Sequence, residues 1–219
     1  TVLFTASFKY TNPSVSILLQ KLQPIFVTIL AFVFLKEKPP QSFYFWAFSA
    51  LTAGLVISFP DFNFSFLFNL KNMASTGSLF ALSAALLWAI STVVGKNLVN
   101  RIHPFQTTLL RYLFGFFTLV CLAIGSESSY TPQALAQLDV LPSLLYMSLV
   151  SGLLAVFIYY QGLMRVKAST ATFAELAFPV GAVAINTFFL DQPMSQIQLI
   201  AAVVLLVSVS AISLTNSGK

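Results

Sequence analysis

Three ionisable residues sit deep inside apolar runs: Lys21 in SILLQKLQPIFVTIL, Arg111 in LLRYLFGF and Glu175 in ATFAELAFPV. A charge at such a place costs about 2.5–3.5 kcal/mol on membrane-insertion scales, so it faces a bundle interior or a cavity unless it can escape. Lys21 lies three residues before Pro24, which is about 5 Å along a helix. It can hold an anionic group, or switch with a coupling proton, or snorkel to the headgroups along its own stem. Gln20 and Gln23 flank it, and three polar residues together favour a wet site. Glu175 lies four residues before Pro179, and Arg111 sits at a similar depth in its own run. Those two read as an intramembrane ion pair, each making the other tolerable, or as a gate or proton site. Pro24 and Pro179 each withdraw a helical donor near mid-run, which produces a kink and a candidate gating hinge. Trp88, Tyr159, Tyr160 and Asn186 could line the same cavity or simply pack against lipid and neighbouring helices.

The elements that must position these residues follow from composition. Of 219 residues, 58% are hydrophobic and 8% charged, with a mean hydropathy of +0.87. An ordinary soluble domain carries roughly 25% charged residues. This excludes a soluble enzyme and a disordered chain, and the single Cys121 excludes a disulfide framework. The net charge of +5 is scattered, with no stripe for a nucleic-acid backbone. Seven stretches approach the roughly 20 apolar residues of a spanning helix: 14–35, 42–60, 77–97, 104–125, 142–162, 169–190 and 195–214. Residues 1–8 read as the tail of a further helix. The predicted class is an all-α polytopic membrane bundle.

Charge orients it. Alternating sides along the chain puts Lys36, Lys38, Lys96, Arg101, Arg165, Lys167 and Lys219 on one side, and only Lys9 and Lys71 on the other. The first side is therefore expected to be cytoplasmic, with the C-terminus. Placing Pro24 on Pro179, 155 residues apart, also matches Ser14 with Ser169, Phe34-Leu35 with Phe189-Leu190, Gln41 with Gln196 and Leu51 with Leu206, without a gap. The charge rule runs the two copies in opposite directions. That is the inverted repeat common in secondary transporters, with a substrate site expected near mid-membrane between the halves. Shifting the second copy back implies a protein of about 300 residues whose first two helices and most of a third precede Thr1, ten helices in all.

The segment GSLFALSAALLWAISTVVGK, Arg111-Tyr112 in the next helix, and the run YYQGLMRVKASTATFAELAFPVGAVAINTFFLDQ resemble an EamA domain, and YTNPSVSILLQKLQPIFVTILAFVFLKEK resembles its most recognisable stretch again. The chain is similar in this way to EamA-type members of the drug/metabolite transporter superfamily. The resemblance implies two inverted five-helix repeats, the first truncated here: residues 1–60 from the first repeat, a connecting loop at 61–75, a complete second repeat at 76–215 and a cytoplasmic tail at 216–219. It implies a secondary permease or exporter of small metabolites, such as amino acids or related compounds, in the inner membrane. The chain departs from the family's Leu-Gly-Glu motif, reading Leu35-Lys36-Glu37 and Leu190-Asp191-Gln192.

Other chemistries find no residues. His103 is the only histidine and lies in a loop, no span holds paired acids, and no Gly-rich phosphate loop is present. No enzyme, metal, cofactor or nucleic-acid partner is expected. The partners are the bilayer, a small-molecule substrate and a candidate coupling proton, for a monomer or homodimer. The competing reading is a structural or sensory membrane protein, which needs neither a repeat nor mid-span charges. Gly77, Ala81, Ala85 and Ala89 form a small-residue stripe that permits close helix packing.

Overall fold

In hydrocarbon a backbone must satisfy its own hydrogen bonds, which leaves apolar runs of this length no alternative to the helix. The computed structural model describes residues 1–59, 76–125, 141–189 and 195–216, excepting the side chains at 182, 183, 186, 188, 189 and 216. The connecting loop at 61–75, the polar loop at 127–139, Leu190-Asp191-Gln192 and the last three residues lie outside the described residues, and so does the side chain of Asn186.

Every described element is helical: α1 (Val2–Ser7), α2 (Pro13–Gln20), α3 (Gln23–Phe34), α4 (Gln41–Ser58), α5 (Thr76–Val99), α6 (Pro104–Ile124), α7 (Leu141–Tyr146), a π-helical segment (Met147–Leu154), α8 (Ala155–Arg165), α9 (Ala168–Glu175), α10 (Phe178–Phe189) and α11 (Gln196–Asn216). Among the described residues, five stretches are long and apolar enough to cross a membrane: Pro13–Phe34, Thr76–Val99, Pro104–Ile124, Leu141–Arg165 and Gln196–Thr215. The other two expected spans correspond to α4 and to the α9–α10 pair.

Local chemistry sets the helix starts. Asn12 caps α2 by accepting from the Ser14 amide at 2.8 Å, with Pro13 in the first turn. At α6, His103 Nδ1 accepts from the Phe105 amide and Gln106 returns its side-chain oxygen to the His103 amide. Ser195 and Gln198 exchange the same two kinds of bond at the start of α11, the reciprocal arrangement of a capping box.

The seven-span reading takes each central proline as a kink in one helix. The structure instead divides both spans in two, at Lys21-Leu22 and at Leu176-Ala177. Each proline falls at the second residue of the following helix, where a missing N–H disturbs least. The divisions repeat. The starts of α2, α3 and α4 at 13, 23 and 41 lie 155 residues before those of α9, α10 and α11 at 168, 178 and 196, the separation of Pro24 from Pro179.

The described chain forms two compact units, residues 1–94 with 166–219, and residues 95–165. In the first unit α4 and α11 pack along their length. Gln198 Nε2 donates to the Ile57 carbonyl at 3.3 Å and the Ser208 and Ser49 hydroxyls are 3.0 Å apart, so the two helices run antiparallel. Phe43, Ala47, Ala50 and Ile57 of α4 join Phe173, Leu176 and Leu205 in one buried cluster. A second cluster joins Val27 and Ala31 of α3 to Ala89 and Val93 of α5 and Ala168 of α9. Ala81, Ala85 and Ala89 are fully buried. A Cβ on Gly77 would lie 2.8 Å from the Ser7 carbonyl oxygen, so that stripe does serve close packing.

In the second unit α6 lies along α8, with Phe105 against Phe157. Lys96 Nζ donates to the carbonyls of Leu163 and Met164 at 2.8 and 3.2 Å, filling acceptors that a helix C-terminus leaves open. Arg111 donates to the Tyr160 hydroxyl at 3.2 Å. Tyr160 in turn requires Gly95, where a Cβ would come within 2.7 Å of its ring.

Candidate functional site

The two broken spans of the first unit meet around a cavity of about 670 Å³. Ile17, Gln20, Lys21, Gln23 and Pro24 line it from one break, and Thr172, Glu175, Leu176, Phe178 and Pro179 from the other. These are five pairs, and every pair is separated by 155 residues. Ile57 and Ser58, at the end of α4, complete the described lining.

The two walls share a backbone and differ in chemistry. One carries two amides and an ammonium, at Gln20, Gln23 and Lys21. At the equivalent positions the other carries Glu175, Phe178 and Leu176. Gln23 Nε2 donates to Glu175 Oε2 at 3.4 Å across the cavity wall. Pro24 withdraws the donor that would bond the Gln20 carbonyl four residues earlier, and Pro179 does the same for Glu175, so each break gives up one helical hydrogen bond beside the lined space. Thr172 is 1% exposed, and its hydroxyl finds no hydrogen-bond partner among the described residues. A buried hydroxyl in that state costs about 1–3 kcal/mol until something bonds it.

Of the sequence candidates, Gln20, Lys21, Gln23, Pro24, Glu175 and Pro179 come together here. Trp88 does not line the cavity; its ring sits 5.4 Å from Phe4. Tyr159 and Tyr160 lie in the second unit with their rings 5.6 Å apart, and Tyr160 is buried beneath Arg111. Within the second unit Arg111 donates to Tyr160, and within the first Glu175 accepts from Gln23. Thr172, Ile57 and Ser58 are lining residues that the sequence reading passes over. Thr172 was accessible through the repeat, because it sits 155 residues from Ile17 and one turn from Glu175.

The motif departure at Lys36 also has a physical account. Lys36 adopts a left-handed conformation, φ 56°. The Glu37 amide donates back to the Ala31 carbonyl at 3.1 Å, an acceptor it shares with the Leu35 amide, so the chain folds back over the end of α3. Glycine is the usual residue at that point because it has no Cβ to strain. The turn delivers the Glu37 carboxylate to the start of α9. There it accepts from the Ala168 amide at 2.7 Å, the Ser169 amide at 3.2 Å and the Ser169 hydroxyl at 2.8 Å. With Glu37 at the start of α9 and Gln23 at its end, α3 and α9 run antiparallel.

Residues 75–214 match the EamA-like transporter family. The chain is 34% identical over 218 residues to the riboflavin transporter ImpX of Fusobacterium nucleatum, a match that covers 98% of this chain and 70% of that protein. It is 25% identical to the uncharacterized transporter YyaM of Bacillus subtilis, over 99% of this chain and 68% of that one. An uncharacterized transporter of Archaeoglobus fulgidus is 25% identical over 85% of this chain and 62% of its own length. A helical, multi-pass membrane chain with these relatives is a membrane transporter, and it belongs to the EamA-like transporter family.

Proposed function

We propose that this protein is a secondary transporter of small amphipathic metabolites, working by alternating access around the cavity between its two broken spans. The observation that carries the reading is the pairwise equivalence of the lining. A rotation about an axis through the cavity brings equivalent residues face to face, whereas simple displacement of one copy would give them different surroundings. The antiparallel course of α3 against α9, and of α4 against α11, supports an inverted repeat, with residues 76–215 as its second copy. The Lys and Arg bias supports an inner-membrane orientation with a cytoplasmic C-terminus.

The cavity falls within the roughly 300–1,000 Å³ that suits drug-sized ligands, more room than a free amino acid fills. Ile57, Leu176 and Phe178 offer a surface for a flat ring, while Gln20, Gln23 and Thr172 offer hydrogen bonds to its polar edge. A heterocyclic metabolite with a polar substituent suits such a lining, and the riboflavin named for the Fusobacterium relative is of that kind. An amino acid or related zwitterion is the second reading, favoured by Lys21 and Glu175 on facing walls. Either ionisable group also serves as the seat of a coupling proton.

Uptake by the protein in sealed vesicles, with labelled riboflavin against a panel of amino acids, separates the two readings. Lys21→Met is expected to abolish transport of the preferred compound while the protein still inserts and folds. Lys21→Arg keeps a fixed charge, so it partly rescues a Lys that only supplies charge and fails for one that must release its proton. Full transport by Lys21→Met would return Lys21 to the snorkelling role and remove it from the site.

A further inference from the structure

The two ends of the cavity are built unequally. At one end α3 packs on α9 through Val27, Ala31 and Ala168, each fully buried, and Glu37 fastens the start of α9 with three hydrogen bonds. The cavity reaches instead to Ile57 and Ser58, at the far end of α4 from Gln41. Pro13, the counterpart of Ala168, is exposed, and α2 is capped by its own Asn12. One end thus holds a carboxylate clamp between the repeats, where α2 has only the cap of its own Asn12.

We infer that Glu37 is a positioning residue that keeps the cavity shut at its own end, so that the resting protein opens toward the opposite face. The inference rests on the reading of the cavity as the transport site. A carboxylate on backbone amides at a helix start is a charge-assisted bond in a partly buried place, and it draws on the positive end of the helix as well. It joins α3 of one repeat to α9 of the other, and α9 carries Thr172 and Glu175. Opening this end requires α3 and α9 to part, and therefore requires the clamp to break. The left-handed turn at Lys36 seats the clamp, since it brings the Glu37 amide back onto the Ala31 carbonyl.

The test reads sidedness rather than transport. Ser58 lines the cavity, so Ser58→Cys in a Cys121→Ser background reports access to a membrane-impermeant maleimide applied from either face of sealed vesicles. With Glu37 intact, labelling is expected from the face opposite Glu37. Glu37→Gln is expected to raise labelling from the Glu37 face about tenfold and to lower it from the other, as a shift between two conformers requires. Ser169→Ala removes only the hydroxyl contact and shifts labelling the same way by about two- to threefold. If Glu37→Gln fails to fold, Ser169→Ala alone decides. Unchanged labelling, or an equal rise from both faces, overturns the inference, because general loosening has no sidedness. A sided shift without any substrate flux leaves the clamp standing and removes the transport reading instead.

Discussion

The break at Lys21-Leu22 and the break at Leu176-Ala177 follow one plan of helix, break and proline. Their helices begin at equivalent residues and each places a proline just inside the second helix. Their side chains nevertheless diverge at nearly every position that faces the cavity. Ile17 stands against Thr172, Gln20 against Glu175, Lys21 against Leu176 and Gln23 against Phe178, and only the prolines agree. Helix bounds depend on a few residues, because a proline sets where a helix can restart whatever surrounds it. Ligand chemistry depends on all of them. A site shaped by two equivalent walls can thus bind an object with two unlike faces, provided the copies keep their geometry and part in composition.

Exchanging each residue for its counterpart tests that separation. The largest effect is expected from Leu176→Lys. Leu176 is 6% exposed inside the main cluster, so a lysine there meets the full cost of about 2.5–3.5 kcal/mol and folded yield collapses. Lys21→Leu, the reverse exchange, should raise the unfolding temperature in detergent while transport falls at least about tenfold, a loss of about 1.4 kcal/mol in transition-state binding. Equal stability losses from both exchanges would erase the distinction between the walls.

Next is Glu175→Gln, which gives the second wall the amide of Gln20. If Glu175 balances Arg111, this change lowers folded yield and adding Arg111→Gln recovers part of it, with a coupling of about 0.5–3 kcal/mol. Strict additivity in thermal unfolding counts against the pair. Thr172→Val removes the unbonded hydroxyl at constant shape. It should stabilise the empty protein by about 1 kcal/mol and raise the substrate KM, since the hydroxyl is costly only until a ligand bonds it. A gain in stability with no change in KM would leave Thr172 outside the site. The smallest effect belongs to Lys36→Gly, which relieves the left-handed residue and should add about 1 kcal/mol or less to stability. A loss on that change would mean that the Lys36 side chain supports the turn.

Much of this was legible in the residues. Apolar runs bounded by charge locate the spans, and Pro24 and Pro179 locate the breaks, because length and donor loss are properties of the chain itself. The grouping of Gln20, Lys21 and Gln23 was legible for the same reason, since three polar residues in an apolar run need a common wet place. The rotation of each helix was not. A helix apolar on every side gives no period that says which face is inside, so Ile57 and Ser58 could not be told from their neighbours. Trp88 was open to several readings for the same reason, because an aromatic ring is equally at home in lipid, in a cavity or against Phe4. The π-helical segment at Met147–Leu154 has no signal at all in its residue types.

The stripe of Gly77, Ala81, Ala85 and Ala89 gives α5 a nearly smooth flank. Side chains that interlock make a ratchet, and moving one helix past another then means lifting each knob out of its hole. Methyl groups and a bare Cα make shallow corrugation instead. At Ala89 that flank meets Val27 and Ala31 of α3, in the same cluster that the Glu37 clamp closes. The smooth flank therefore leaves the backbone of α3 free to draw near α5 at Ala89, with no long side chain from α5 standing between them there.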